Sequence, residues 1–213
     1  MIRLSDHIAA AGGWLSLEAF MQLALHHPQE GYYSSSIENI GQRGDFSTTP
    51  TLSPILAKAI IAHWKEACSR CGRRLPLLEI GAGSGALAVK ILERLGFWNR
   101  LNTDYVIVES SPRLREFQHL LLGGRAKIYS TMEKALKHCG GKAFIFSNEL
   151  VDAFPARVFE YTEQDWKEVG LVVKNGAVRE ELRPVRQQPL FSHMLEYGSQ
   201  PGQRVEIHDS YAR

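Results

Sequence analysis

The residues best spaced for chemistry lie in the stretch Leu77-Leu78-Glu79-Ile80-Gly81-Ala82-Gly83-Ser84-Gly85-Ala86-Leu87. A short apolar run ends beside an acidic residue, and glycines then open an amphipathic segment. This is the pattern of a strand, a tight loop and a helix start. Amides at such a helix N-terminus attract polar or anionic groups, and glycine lets a ligand come close to the backbone. Further on, Tyr105-Val106-Ile107-Val108 is a second apolar run, ending in Glu109 and Ser110. Another, Ala143-Phe144-Ile145-Phe146, leads into Ser147-Asn148-Glu149.

Three nucleotide-type readings compete for the glycine loop. A P-loop requires lysine and Ser/Thr after its last glycine, but Ala86-Leu87 follow Gly85, so it is excluded. The dinucleotide fingerprint G-x-G-x-x-G/A is met by Gly81, Gly83 and Ala86, with Glu109 placed to bind a ribose, so an NAD-dependent oxidoreductase fits the spacing. The third reading is S-adenosylmethionine, whose loop is acidic-x-Gly-x-Gly-x-Gly, here Glu79, Gly81, Gly83 and Gly85. That cofactor has no pyrophosphate, so the loop need only pack against its amino-acid and ribose parts. A carboxylate before the glycines suits the amino-acid end, and Glu109 suits the ribose hydroxyls. The two carboxylates favour this third reading while the second stays open.

The elements that must position these residues alternate. Leu17, Phe20, Met21, Ala24 and Leu25 have helical spacing, and Pro28 and Gly31 stop that helix. Ser34 to Pro50 is polar and reads as a loop. Ser53-Pro54 starts a helix with Leu52, Ile55, Leu56, Ala59, Ile60, His63 and Trp64 as its stripe, His63 and Trp64 facing the core. Ala86, Val89, Leu92 and Leu95 extend the helix after the loop. Ser111-Pro112 caps another, with Leu114, Phe117 and Leu121 on one face. Ala126 to Tyr129 is a short strand, and Thr131 to His138 a short helix. Continuous apolar strands alternating with helices predict a parallel, doubly wound α/β sheet of Rossmann type with helices on both faces. Its ligand belongs beyond the carboxyl ends of the strands, where Gly81, Glu109 and Asn148-Glu149 fall. After Pro155 the pattern changes to antiparallel: Arg157 to Tyr161, Glu168 to Val173 and Ala177 to Leu182 read as strands, the last two joined by an Asn175-Gly176 hairpin turn. Pro189 to Tyr197 reads as a short helix and Arg204 to Ile207 as another strand. The expected division is 1–50, N-terminal helix and loop; 51–156, Rossmann-like core; and 157–213, antiparallel segment and C-terminal part.

Composition bounds the partners. The 213 residues are 44% hydrophobic and 23% charged, with a net charge of +2, which gives no electrostatic case for nucleic acid or a membrane surface. No apolar run reaches membrane-spanning length. The N-terminus lacks the apolar core of a secretory signal, and as a transit peptide it is weak, with Asp6 and a single Arg. Three cysteines then suggest reduced thiols in a cytoplasmic setting. Cys68 and Cys71 form C-x-x-C, but no second pair completes a metal site, and none is expected. The scattered histidines show no catalytic constellation.

Several distant stretches together resemble the MidA family of class I methyltransferases, relatives of the mitochondrial complex I assembly methyltransferase. They are Met21-x-x-Ala24-Leu25 with Pro28 and Gly31-Tyr32-Tyr33; Gly44-Asp45-Phe46-Ser47-Thr48-Thr49-Pro50; the Glu79 loop; Val108-Glu109-Ser110-Ser111-Pro112; and Ser147-Asn148-Glu149-Leu150-Val151-Asp152-Ala153-Phe154-Pro155. The resemblance implies S-adenosylmethionine as cofactor and a protein substrate, with arginine methylation the leading acceptor chemistry. Carried over, Glu79, Gly81, Ala82, Gly83, Gly85, Glu109 and Ser110 would hold the cofactor, and Gly44, Asp45, Phe46 and Thr48 would close over it. Asn148, Glu149 and Asp152 would face the substrate, where carboxylates can hold a guanidinium by paired hydrogen bonds. Members of the family are longer and continue past the stretch resembling Pro201-Gly202-x-Arg204-Val205-Glu206. Later sheet strands are then expected to be missing, or supplied by the antiparallel segment or a partner chain such as a second copy. A shortened relative acting as a non-catalytic assembly or scaffold protein is therefore a further reading.

Overall fold

The computed structural model describes residues 3–33, 54–96, 102–195 and 200–209. The chain divides into two compact units, residues 1–32 with 151–213, and residues 33–150. The first unit begins with α1 (Leu4–Ala10), β1 (Leu15–Ser16) and α2 (Leu17–His26). The Ser16 hydroxyl accepts from the Ala19 amide and caps α2. This helix packs through Leu17, Ala19, Phe20 and Leu23 onto a core of Ile8, Leu15 and Leu171. Ala24, placed on the apolar face by its spacing, is exposed.

The second unit follows as α3 (Ile55–Arg70), β2 (Leu77–Ile80), α4 (Ala86–Arg94), β3 (Tyr105–Val108), α5 (Pro112–Leu122), β4 (Lys127–Tyr129), α6 (Met132–His138) and β5 (Phe144–Ser147). The expected parallel sheet is present, in the order β4-β3-β2-β5. Leu77, Tyr105 and Ile107 pack on one face against Ala57, Ile61 and Trp64 of α3 and Leu87, Ala88, Ile91 and Leu92 of α4. Leu78, Val106 and Val108 pack on the other face against Ala135 of α6 and Cys139. Helices therefore cover both faces.

Three local expectations are corrected. His63 is exposed rather than core-facing; the buried stripe of α3 is Ala57, Ile61 and Trp64, and the Trp64 indole donates to the Leu75 carbonyl at 2.8 Å. On α5 the buried residues are Leu114, Gln118 and Leu122, while Leu121 is 39% exposed. The i, i+4, i+8 stripe passes through a glutamine, which hides it from a reading of apolar residues alone. Finally, β5 is half-buried rather than enclosed, because among the described residues it forms the edge of the sheet, with Ile145 47% exposed.

The first unit resumes with β6 (Arg157–Tyr161), β7 (Trp166–Lys174), β8 (Ala177–Pro184) and β9 (Arg204–Ile207), all paired antiparallel, with β1 added against β7. The hairpin turns at Asn175-Gly176, both with positive φ, as two-residue turns of this kind require. Arg157 donates through Nε and Nη2 to the two carboxylate oxygens of Glu168 at 2.9 and 2.7 Å, and lies 3.5 Å from Asp209. All three are buried. The expected helix from Pro189 reduces to a 3-10 turn, Ser192–Leu195.

Candidate cofactor site

Register brings the candidate residues of the second unit to one end of its sheet. Ile80 lies opposite Val108 on one side and Ser147 on the other, so Gly81, Glu109 and Asn148 leave the carboxyl ends of adjacent parallel strands together. The loop from Gly81 to Gly85 is fixed by two backbone bonds, from the Gly81 amide to the Val108 carbonyl and from the Gly85 amide to the Ala82 carbonyl, each 2.8 Å. Gly81 and Gly85 have φ of +67° and +72°. The positive φ favours glycine at position 81, and a Cβ there would stand 2.5 Å from Leu150 Cδ1, so the leucine side chain would have to shift. Gly85 is the N-cap of α4, and no side-chain hydrogen bond caps the helix there. First-turn amides of a helix lack intrahelical partners, so this end can receive a polar ligand.

Glu79 is 2% exposed, and its Oε2 accepts the Tyr105 hydroxyl at 2.7 Å. Burial pushes its pKa from 4.5 up to about 7, against the Tyr105 bond and with help from the charge of Glu109. The Tyr105 hydroxyl is itself held well above its ordinary value, first by burial and then by Glu79. Glu109 is also raised, by burial. Its ionised form is supported by the Ser111 amide at 3.0 Å, by Gln118, by the Gly83 backbone and by the charge of Arg115. Arg115 also donates to the Glu109 and Ser110 carbonyls, at 2.9 and 2.7 Å, bracing the turn after β3. Ser111 caps α5 by accepting the Leu114 amide. Ser110 is exposed.

Asn148 is half-buried and Glu149 exposed. Glu149 has φ +49°, a left-handed conformation that costs a non-glycine residue of this type about 1–2 kcal/mol. Strain of this kind gathers at functional positions. Asp152 lies on the 3-10 turn Val151–Ala153, in the other unit. Gly44, Asp45, Phe46 and Thr48 lie outside the described residues. A groove of about 570 Å³, lined by Ile60, His63, Glu66, Ala67, Arg70, Phe144 and Phe146, contains none of the candidate residues. Among the described residues no cluster of His, Cys, Asp and Glu suits a metal ion, and no helix is long and apolar enough to cross a membrane.

Tyr105, Gln118 and Arg115 were not foreseen as members of the site. Tyr105 meets Glu79 only through the lateral pairing of β2 and β3, which no local pattern encodes. Gln118 lies between Leu114 and Leu122 on the buried stripe, and a reading of apolar spacing passes over it because it is polar.

A parallel sheet with a glycine loop after its central strand and buried carboxylates on that strand and at its neighbour's end defines a Rossmann-type nucleotide-cofactor protein. The family model described as "Putative S-adenosyl-L-methionine-dependent methyltransferase" matches residues 55–212, and the chain belongs to that family, of MidA type. Its cofactor is S-adenosylmethionine, and the NAD reading is not favoured. The chain is 28% identical over 193 residues to "Protein arginine methyltransferase NDUFAF7, mitochondrial" of Danio rerio, covering 76% of this chain and 45% of that protein. The Xenopus tropicalis protein of the same name is 27% identical over 192 residues, covering 77% and 44%. A crystal structure of a "likely methyl transferase" from Burkholderia thailandensis bound to S-adenosyl-homocysteine superposes with a TM-score of 0.79 at 29% identity, over 97% of this chain and 55% of that one. The chain thus spans about half the length of these relatives.

The cytoplasmic setting expected from composition is overturned, since the curated relatives carry mitochondrial names. Reduced thiols do not separate the cytosol from other reducing compartments.

Proposed function

We propose that this protein is an S-adenosylmethionine-dependent methyltransferase acting on a protein, with an arginine guanidinium as acceptor. The observation that carries the cofactor assignment is the pair of buried carboxylates around the Gly81–Gly85 loop, Glu79 on β2 and Glu109 directly after the adjacent parallel strand β3. The residues present fit the group: Gly81, Gly83 and Gly85 hold positive φ in a loop without side chains of their own, and the first turn of α4 has no side-chain cap hydrogen bond. Glu109 would accept the ribose hydroxyls, the backbone of Gly81, Ala82, Gly83 and Gly85 would lie against the cofactor, and Ser110 would border it. Glu79 would serve the amino-acid end. When bound, S-adenosylmethionine supplies an electrophilic methyl group on a sulfonium.

What remains for the chain is to bind, orient and accept a proton. Asn148 and Glu149 leave β5 beside the glycine loop, and Glu149 is exposed and ionisable. Glu149 would hold the guanidinium by charge-assisted hydrogen bonds and orient its nitrogen toward the methyl group, with Asn148 as a further polar contact. The relatives named protein arginine methyltransferases support a protein acceptor and this nitrogen.

The test is incubation with methyl-labelled S-adenosylmethionine and arginine-containing proteins, followed by residue analysis. Label on arginine that disappears in Glu149→Ala is expected. Tight cofactor binding without any transfer would overturn the enzymatic reading in favour of a scaffold protein.

A further inference from the structure

Gln118 is fully buried on α5, between Leu114 and Leu122 on the face turned into the fold. Its Nε2 donates to the Gly83 carbonyl at 2.9 Å and, in a longer contact of 3.5 Å, to Glu109 Oε2. The Gly83 carbonyl can only accept, so the amide orientation is chemically decided. Its Oε1 is buried and has no hydrogen-bond partner among the described residues. An apolar residue would fill the same stripe without an unpaired acceptor. The glutamine is accounted for by what its nitrogen joins, the glycine loop after β2 and the carboxylate after β3.

We propose that Gln118 is a positioning residue of the cofactor site, tying the Gly83 backbone to the Glu109 carboxylate so that loop and carboxylate meet the ligand in a fixed relation. This rests on the cofactor assignment above. It predicts that the amide acts on binding through Glu109 and contributes little to folding, because the tie is offset by the unpaired Oε1.

The experiment compares the wild type, Gln118→Met and Leu114→Ala for S-adenosyl-homocysteine binding by calorimetry across pH 5–8, and for melting without ligand. Gln118→Met is expected to weaken binding tenfold or more with its melting temperature unchanged or raised. The pH midpoint for binding should also rise, because Glu109 loses a donor that favours its ionised form. Leu114→Ala, one turn earlier on the same stripe, should melt lower with the wild-type midpoint. A Gln118→Met protein that melts lower but binds with the wild-type affinity and midpoint overturns the proposal. If that variant does not fold, the side-chain amide of Gln118 in the wild type is followed by NMR during titration with S-adenosyl-homocysteine; a shift supports the proposal and an unmoved signal overturns it. A wild type that does not bind S-adenosyl-homocysteine overturns the cofactor assignment, and this inference with it. Retained binding in Gln118→Met overturns this inference alone.

Discussion

Replacing Glu79 by Gln should stabilise the protein, and more so as pH rises. The folded state holds this carboxyl at about 7, against 4.5 for the exposed group. Below pH 4.5 the carboxyl is protonated in both folded and unfolded chains and makes no difference. From there to pH 7 the unfolded chain ionises while the folded one does not, so the favourable contribution is lost as pH rises, levelling off above the folded pKa. The full displacement, 4.5 to about 7, is worth about 3 kcal/mol, most of which develops between pH 5 and pH 8. Gln keeps an acceptor for the Tyr105 hydroxyl and carries no charge to bury. The assay is thermal or urea unfolding of wild type and Glu79→Gln at pH 5 and pH 8. The advantage of the variant should be small at pH 5 and grow to roughly 5–10 °C in melting temperature at pH 8. An advantage that does not change with pH, or a variant less stable at pH 8, would refute the assignment of burial as the cause.

Other substitutions probe the loop and the antiparallel sheet. Gly81→Ala should destabilise by about 1–3 kcal/mol, from its positive φ and the 2.5 Å approach to Leu150. Adding Leu150→Ala should recover the steric share, and urea melts of both proteins check it. Arg157→Ala should cost about 3–5 kcal/mol at pH 7, because Glu168 and Asp209 remain buried without their cation. A loss below about 1 kcal/mol in denaturant titration would show that water replaces the guanidinium.

The strands and the glycine loop were legible because their signals are local: continuous apolar runs, the spacing of Gly81, Gly83 and Gly85, and the Asn175-Gly176 turn. The carboxylates were legible because each lies on or directly after an apolar run. What was not legible depends on long-range pairing. The Tyr105–Glu79 bond requires knowing that β2 and β3 are neighbours. Which face of α5 is buried was missed because Gln118 breaks the apolar pattern for a polar reason. His63 was assigned to the core by periodicity, yet α3 turns Ala57, Ile61 and Trp64 inward instead. The edge position of β5 could not be read from Phe144–Ser147, whose composition suits an enclosed strand equally well.

The central claim is that the Gly81–Gly85 loop with Glu109 forms a methyl-donor site, and calorimetry with S-adenosyl-homocysteine and with NAD tests it most directly. The wild type should bind S-adenosyl-homocysteine in one-to-one ratio and NAD much more weakly, and Glu109→Ala should lower the first affinity by at least about tenfold, the equivalent of 1.4 kcal/mol. Preference for NAD, or S-adenosyl-homocysteine binding that is indifferent to Glu109, would contradict it.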